Sequence, residues 1–263
     1  GEGLFSLRFF SILFGLLTVW AGYLFVKQIF YIKNGSSSDN KKTEYLALFA
    51  ALMIALNPFQ AQYSLEARMY TLGTFFILFS SYLLLKALET NYKKYWFWYG
   101  LFISAALYTH YYLVFSVMAQ GLYIIFYLIK TKKISFTINS TLVRALASYI
   151  FSAILFLPWL KPFLRQLTRV EASYWIPPMD RWSIPGTIWK MVYGGQGINR
   201  FVLTISVILS VFLIIYFFRK IKQTEKWLIF LSVLIPFLAA VLLSFKTAIY
   251  LDRYFVFTSL FFV

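Results

Sequence analysis

Long, uninterrupted apolar blocks constrain this chain more than any other feature. They run at about 7–32, 45–57, 69–88, 95–109, 111–129, 142–160, 201–218, 227–245 and 254–263. Several reach the roughly 20 residues that a helix needs to cross about 30 Å of hydrocarbon. In lipid, backbone polar groups must be satisfied internally, and the alternation expected of a β-barrel strand is absent, which leaves helices. The pattern therefore predicts an all-α fold, a polytopic transmembrane helical bundle of about eight or nine spans. Composition agrees: 61% of residues are hydrophobic and 13% charged, against about 45–50% and 25% in soluble domains. Block 45–57 is short for a span and is expected to continue into the Pro58 to Gln62 segment or to lie tilted among its neighbours.

The formal net charge of +16 would point to nucleic acid in a soluble chain. Here the cations gather at the ends of apolar blocks, so they read as topology signals and contacts for membrane lipids, with no nucleic acid as partner. Lysines and arginines mark four connections: Lys33, Lys41 and Lys42; Lys86, Lys93 and Lys94; Lys130, Lys132 and Lys133; and Arg219, Lys220, Lys222 and Lys226. Every second connection is thus basic, and the positive-inside rule places these four in the cytoplasm. The Asn57 to Arg68 segment, the Thr109-His110-Tyr111 turn, the long connection 161–200 and the Lys246 to Arg253 segment then face the exoplasm. Connection 161–200 also carries several cations, against the rule at that place. The absence of cysteine excludes disulfides, thiol catalysis and cysteine metal sites. Asn139-Ser140-Thr141 matches a glycosylation sequon but lies on a cytoplasmic connection, and is read as chance. The chain opens on Gly-Glu-Gly and ends inside an apolar block, so it is expected to be a piece of a longer protein, incomplete at both ends, with the last span cut at Val263.

Ionisable groups at membrane depth are costly, which makes the nine acidic residues a useful filter. Asp39, Glu44, Glu89 and Glu225 fall on cytoplasmic connections; Glu2, Glu66, Glu171, Asp180 and Asp252 remain for exoplasmic chemistry. The densest polar stretch is Asn57 to Tyr70, where Pro58 ends or kinks one span before the next resumes at Met69. On a helix Tyr63, Glu66 and Tyr70 share one face, and Ser64, Arg68 and Thr71 another. Interfacial anchoring explains these residues as well as a binding role does.

His110 is the sole histidine, in an aromatic turn, and reads either as a hydrogen-bonded structural residue or as a site residue. Arg8 opens the first block, and Arg253 sits in Asp252-Arg253-Tyr254 before the last. An arginine fork grips phosphate, while snorkelling to headgroups is the competing reading. Connection 161–200 is rich in Trp, Pro and Gly, including Tyr174-Trp175-Ile176-Pro177-Pro178. Its length fits an ordered lid or sugar-stacking loop, or a segment lying on the membrane.

Leu7-Arg8-Phe9-Phe10-Ser11-Ile12-Leu13-Phe14-Gly15, the Asn57 to Tyr70 stretch with its Ser-x-Glu-Ala-Arg-x-Tyr core, Leu157-Pro158-Trp159 and Arg253-Tyr254 together resemble the GT-C superfamily. The likeness is to bacterial relatives of the dolichyl-phosphate-mannose protein mannosyltransferases and to the lipid A aminoarabinose transferases. It implies a glycosyltransferase of the bacterial cytoplasmic membrane. The enzyme would move a sugar from a polyprenyl-phosphate-linked donor to an exoplasmic acceptor, whether lipid, glycan or protein. In that family a carboxylate in the first exoplasmic loop activates the acceptor; here it is expected upstream of Gly1, Glu2 lying too close to the span to match. Arg8, Arg68 or Arg253 would neutralise the leaving phosphate. Tyr63, Glu66, Tyr70, His110, Trp175 and Asp252 complete the candidate substrate-binding set. No metal ligands are assigned; the resemblance fixes no cofactor, and a divalent metal ion is compatible with it. Two other readings are a lipid-linked sugar transporter, which should show repeat symmetry and mid-span charges that are not apparent, and a non-catalytic scaffold, which leaves Glu66 and Arg68 without a purpose.

Overall fold

The computed structural model describes residues 3–34, 40–172, 176–194, 199–220 and 224–261. Among these, every regular element is helical. The order is α1 (Leu4–Asn34), α2 (Asn40–Leu56), α3 (Pro58–Ser64), α4 (Tyr70–Thr90), α5 (Lys93–Thr109) and α6 (Leu113–Thr131). Then follow α7 (Thr141–Ala172), α8 (Ser183–Tyr193), α9 (Arg200–Lys220), α10 (Lys226–Ser244), a 3-10 turn at Asp252–Phe255, and α11 (Val256–Ser259).

Helix α4 is the centre of the bundle, packed between α1 and α5, with Ile77, Leu84 and Leu85 almost completely buried. Helix α2 lies on α1, α7 on α5, and α10 on α6. Without a hydrophobic force between helices in lipid, close approach and polar contacts must hold them. At the α5–α7 seam a Cβ on Gly100 would stand 3.0 Å from the Ser148 carbonyl oxygen. There Ser148 Oγ donates to the Trp96 carbonyl at 2.9 Å and Ser104 Oγ to the Ser152 carbonyl at 3.1 Å. Between α4 and α6 the Gln120 amide donates to Ser80 and Ser81 hydroxyls, both at 2.9 Å. Exposed Leu16, Leu52, Ile150 and Phe212 turn outward, where hydrocarbon would meet them.

Five helices among the described residues are long and apolar enough to cross a membrane, six if α2 and α3, bent by 60°, form one broken span. This is short of the eight or nine expected, for particular reasons. Helix α5 has only 17 residues, and α9, 21 residues long, is counted only over its described stretch Arg200–Phe212. Block 254–263 is not a span over its described part: the 3-10 turn and α11 fold into the core, with Phe255, Val256 and Phe257 fully buried. Phe255 stacks on Phe237 at 4.1 Å between ring centroids instead of facing lipid. Connection 161–200 begins as a continuation of α7, which passes Pro158 and Pro162 and runs to Ala172, and also contains α8.

The lysine-bearing connections collect at one end of the bundle. There Lys27 pairs with Glu44 at 2.7 Å, Glu44 accepts from the Tyr23 hydroxyl at 2.5 Å, and Glu89 accepts from Gln28 at 2.6 Å. Glu44 and Glu89 thus clamp α1 to α2 and α4. The candidate site lies at the other end.

Candidate functional site

Asn57 and Pro58 build the site's first wall. Pro58 stands at the first helical position, where its missing N–H is no loss. Asn57 caps α3: its Oδ1 accepts from the Gln60 N–H at 3.0 Å, while its Nδ2 donates to the Met191 carbonyl of α8 at 2.9 Å. Gly194, at φ 67°, follows α8 against Pro58, where a Cβ would approach the Pro58 side chain to 2.4 Å. One asparagine therefore starts α3 and ties it to α8. Gln60, buried one residue pair on, donates through Nε2 to the Val256 carbonyl at 2.8 Å and the Ser259 hydroxyl at 2.6 Å.

These clamps bring distant aromatic residues together. Tyr63 of α3 meets Tyr70 of α4 edge to face at 5.0 Å between centroids. Tyr70 lies 6.2 Å from both the His110 and Phe257 rings. His110 is 4.9 Å from Tyr254 and 5.4 Å from Phe257. Tyr112 anchors the turn after α5, donating its hydroxyl to the Pro236 carbonyl at 2.6 Å.

The charged groups enter on the 3-10 turn. Asp252 forms an ion pair with Lys190 of α8 and accepts the Arg253 backbone N–H at 2.8 Å. The Arg253 side chain donates to the Tyr70 hydroxyl. Burial works against the charge on Arg253, but the Tyr70 bond and the fields of Tyr63 and Asp252 outweigh it and hold the guanidinium above its ordinary pKa. Asp252, Glu66 and Arg253 all act electrostatically on the Tyr63 hydroxyl. His110 is different. Burial alone pushes its pKa down to about 4, and its Nδ1 accepts the Tyr112 N–H at 3.2 Å, so the neutral ring carries its proton on Nε2.

Of the residues singled out from sequence, the fold gathers Tyr63, Tyr70, His110, Asp252 and Arg253 into one cluster, with Glu66 beside it. Arg68 and Arg8 are exposed at the same end, linked through Ser11, whose hydroxyl donates to the Arg68 carbonyl at 3.2 Å. Trp175 and Glu2 lie outside the described residues. Asn57, Gln60, Lys190 and Tyr254 were not singled out. Asn57 was legible as a helix cap before proline, and Lys190 as the one cation of amphipathic α8. Among the described residues no three His, Cys, Asp or Glu side chains gather in a group that could hold a metal ion.

The arrangement can hold an anion on the partly exposed Arg253, with Tyr63 and Tyr70 buried behind it and a neutral imidazole as hydrogen-bond donor. An all-helical integral membrane protein with such a cluster at one end of its bundle is the class that fold and site define. The family described as dolichyl-phosphate-mannose-protein mannosyltransferase matches residues 1–161, more than half of the chain. The chain belongs to that family and is a membrane glycosyltransferase of the GT-C kind. No curated protein and no solved structure matches it.

Proposed function

We propose that the protein transfers a sugar from a polyprenyl-phosphate carrier to an acceptor on the exoplasmic face of a bacterial cytoplasmic membrane. The observation that carries this reading is the contact of the partly exposed Arg253 guanidinium with the buried Tyr70, made at the end of the bundle opposite the lysine-rich connections. A polyprenyl carrier presents its phosphate at the membrane surface, where a planar guanidinium on a fixed turn can meet it.

In this reading the acceptor's hydroxyl or amine attacks the anomeric carbon from the side opposite the phosphate. The carbon–oxygen bond to phosphate breaks, and the phosphate leaves with the electron pair. Arg253 neutralises the charge that develops on the leaving group, helped by the exposed Arg8 and Arg68. Tyr63 and Tyr70, buried behind it, hold Arg253 in position, and His110 offers its Nε2–H to an acceptor oxygen. The acceptor's proton passes to a carboxylate base. Asp252 is poorly suited to that task, being committed to Lys190 and to the Arg253 N–H.

Proteoliposomes of the intact protein, given a set of polyprenyl-phosphate sugars and a membrane acceptor fraction, test the reading. The expected result is sugar transfer with release of polyprenyl phosphate. Movement of the lipid-linked sugar across the bilayer without transfer would replace it with the transporter reading.

A further inference from the structure

The family match ends at residue 161, but α7 continues to Ala172. On this continuation Lys161, Pro162, Arg165 and Gln166 line an open cavity of about 450 Å³. Lys161 and Arg165 stand four residues apart and therefore share a helix face, where like charges repel. Neither side chain is paired with a carboxylate among the described residues. The described ion pairs engage Glu44 with Lys27, Glu89 with Lys86 and Asp252 with Lys190.

The cavity wall is held in place. Trp159 Nε1 donates to the Tyr111 hydroxyl at 2.8 Å, and Phe163 packs edge to face on Tyr111 at 4.9 Å between centroids. This stretch of α7 is thereby fixed to the turn that carries His110. The bundle end in question is the one remote from the lysine-rich connections, so topology does not account for the two cations. The qualifying apolar stretch of α7 runs from Thr141 to Thr168, which puts Lys161 and Arg165 in its last two turns, past the roughly 20 residues that hydrocarbon requires.

We propose that this cavity is an anion subsite for a phosphate-type group. Arg165 would engage two oxygens through its planar fork, Lys161 would act as a point charge, and the Gln166 amide would add a neutral donor. The same chemistry serves an anionic lipid headgroup and a soluble phosphorylated ligand. The subsite is independent of the transfer reading and uses none of its residues.

The intact protein in phosphatidylcholine nanodiscs is titrated with inorganic phosphate and followed by thermal shift. A second arm uses nanodiscs containing phosphatidylglycerol and counts retained lipids by native mass spectrometry. The double variant Lys161→Ala/Arg165→Ala is expected to weaken the response by about tenfold or more in whichever arm binds. Lys161→Gln/Arg165→Gln, which preserves side-chain length and helix propensity, should do the same, and Lys246→Ala, an exposed cation outside the cavity, should not. Phosphate binding lost in both double variants supports the subsite with a soluble ligand; phosphatidylglycerol retention lost in them supports it with a lipid headgroup. The proposal is overturned by absence of binding in both arms, by equal binding in wild type and double variants, or by an equal loss in Lys246→Ala. Neither arm measures transfer, so an overturned subsite leaves the proposed reaction standing.

Discussion

Gln60 of α3 reaches Val256 of α11 across 196 residues of sequence, its amide donating to the Val256 carbonyl at 2.8 Å. The same nitrogen meets the Ser259 hydroxyl at 2.6 Å. Gln60→Leu removes the donor shared by two buried oxygens that remain joined through the Ser259 hydroxyl's bond to the Val256 carbonyl, so the loss is that of ordinary hydrogen bonds, about 0.5–1.5 kcal/mol each. Thermal unfolding in detergent should shift down accordingly. Gln60→Glu should destabilise further, because it buries a carboxylate facing a carbonyl oxygen. Unchanged melting for both would remove Gln60 from the account of how α11 is held.

Arg253 separates charge from geometry. Arg253→Lys keeps the cation but not the planar fork, and Arg253→Ala keeps neither. If the fork positions a phosphate, the lysine variant loses about tenfold or more in transfer, with much of the loss in donor KM. Full activity in Arg253→Lys would mean that charge alone is needed.

Arg68 is exposed, and its side chain makes no hydrogen bond or ion pair among the described residues. Its removal should therefore leave folding untouched, within about 0.5 kcal/mol as for ordinary surface changes. Arg68→Ala is expected to insert normally and to transfer sugar more slowly. Activity equal to wild type would leave Arg68 as an interface anchor.

His110 gives a pH prediction. Its folded pKa of about 4 lies below the ordinary 6.5, so between those values the unfolded chain holds more protons than the folded one. Stability from the neutral ring is complete above pH 6.5 and is lost as pH falls through 4, on the order of 3 kcal/mol in all. The single histidine should titrate near pH 4 by NMR, and His110→Gln should flatten the acid limb of the stability curve. A midpoint near 6.5 would show that the turn is open to water. By the same sign, His110 contributes no inflection to a rate profile between pH 6 and 8.

The helices were legible because apolar length is a strong local signal; α4, α5 and α10 begin and end within about two residues of their blocks. Pro58 likewise announced the break that became the 60° bend. The C-terminal end of α7 was underestimated by twelve residues because apolarity reports where hydrocarbon ends, not where a helix ends. Block 254–263 misled for a related reason. Phe255 and Phe257 are apolar because they fill the protein core, and composition cannot distinguish that from lipid. The candidate site was half legible. Tyr63, Tyr70 and Arg253 stood out by type, but Lys190 and Gln60 act through partners 62 and 196 residues away, and such pairings are set by tertiary packing.

The bond from Asn57 to the Met191 carbonyl spans 134 residues, and that span has a consequence for biogenesis. Helix α2, at 17 residues, measures about 26 Å and falls short of the hydrocarbon thickness by itself. It should enter the bilayer as a hairpin with α1, held by the Lys27–Glu44 pair. The cap of α3 is local, but the tie that fixes α3 to α8 must wait until the ribosome has made Met191. A chain interrupted before residue 191 would thus carry every residue of α3 and still lack one wall of its own active end.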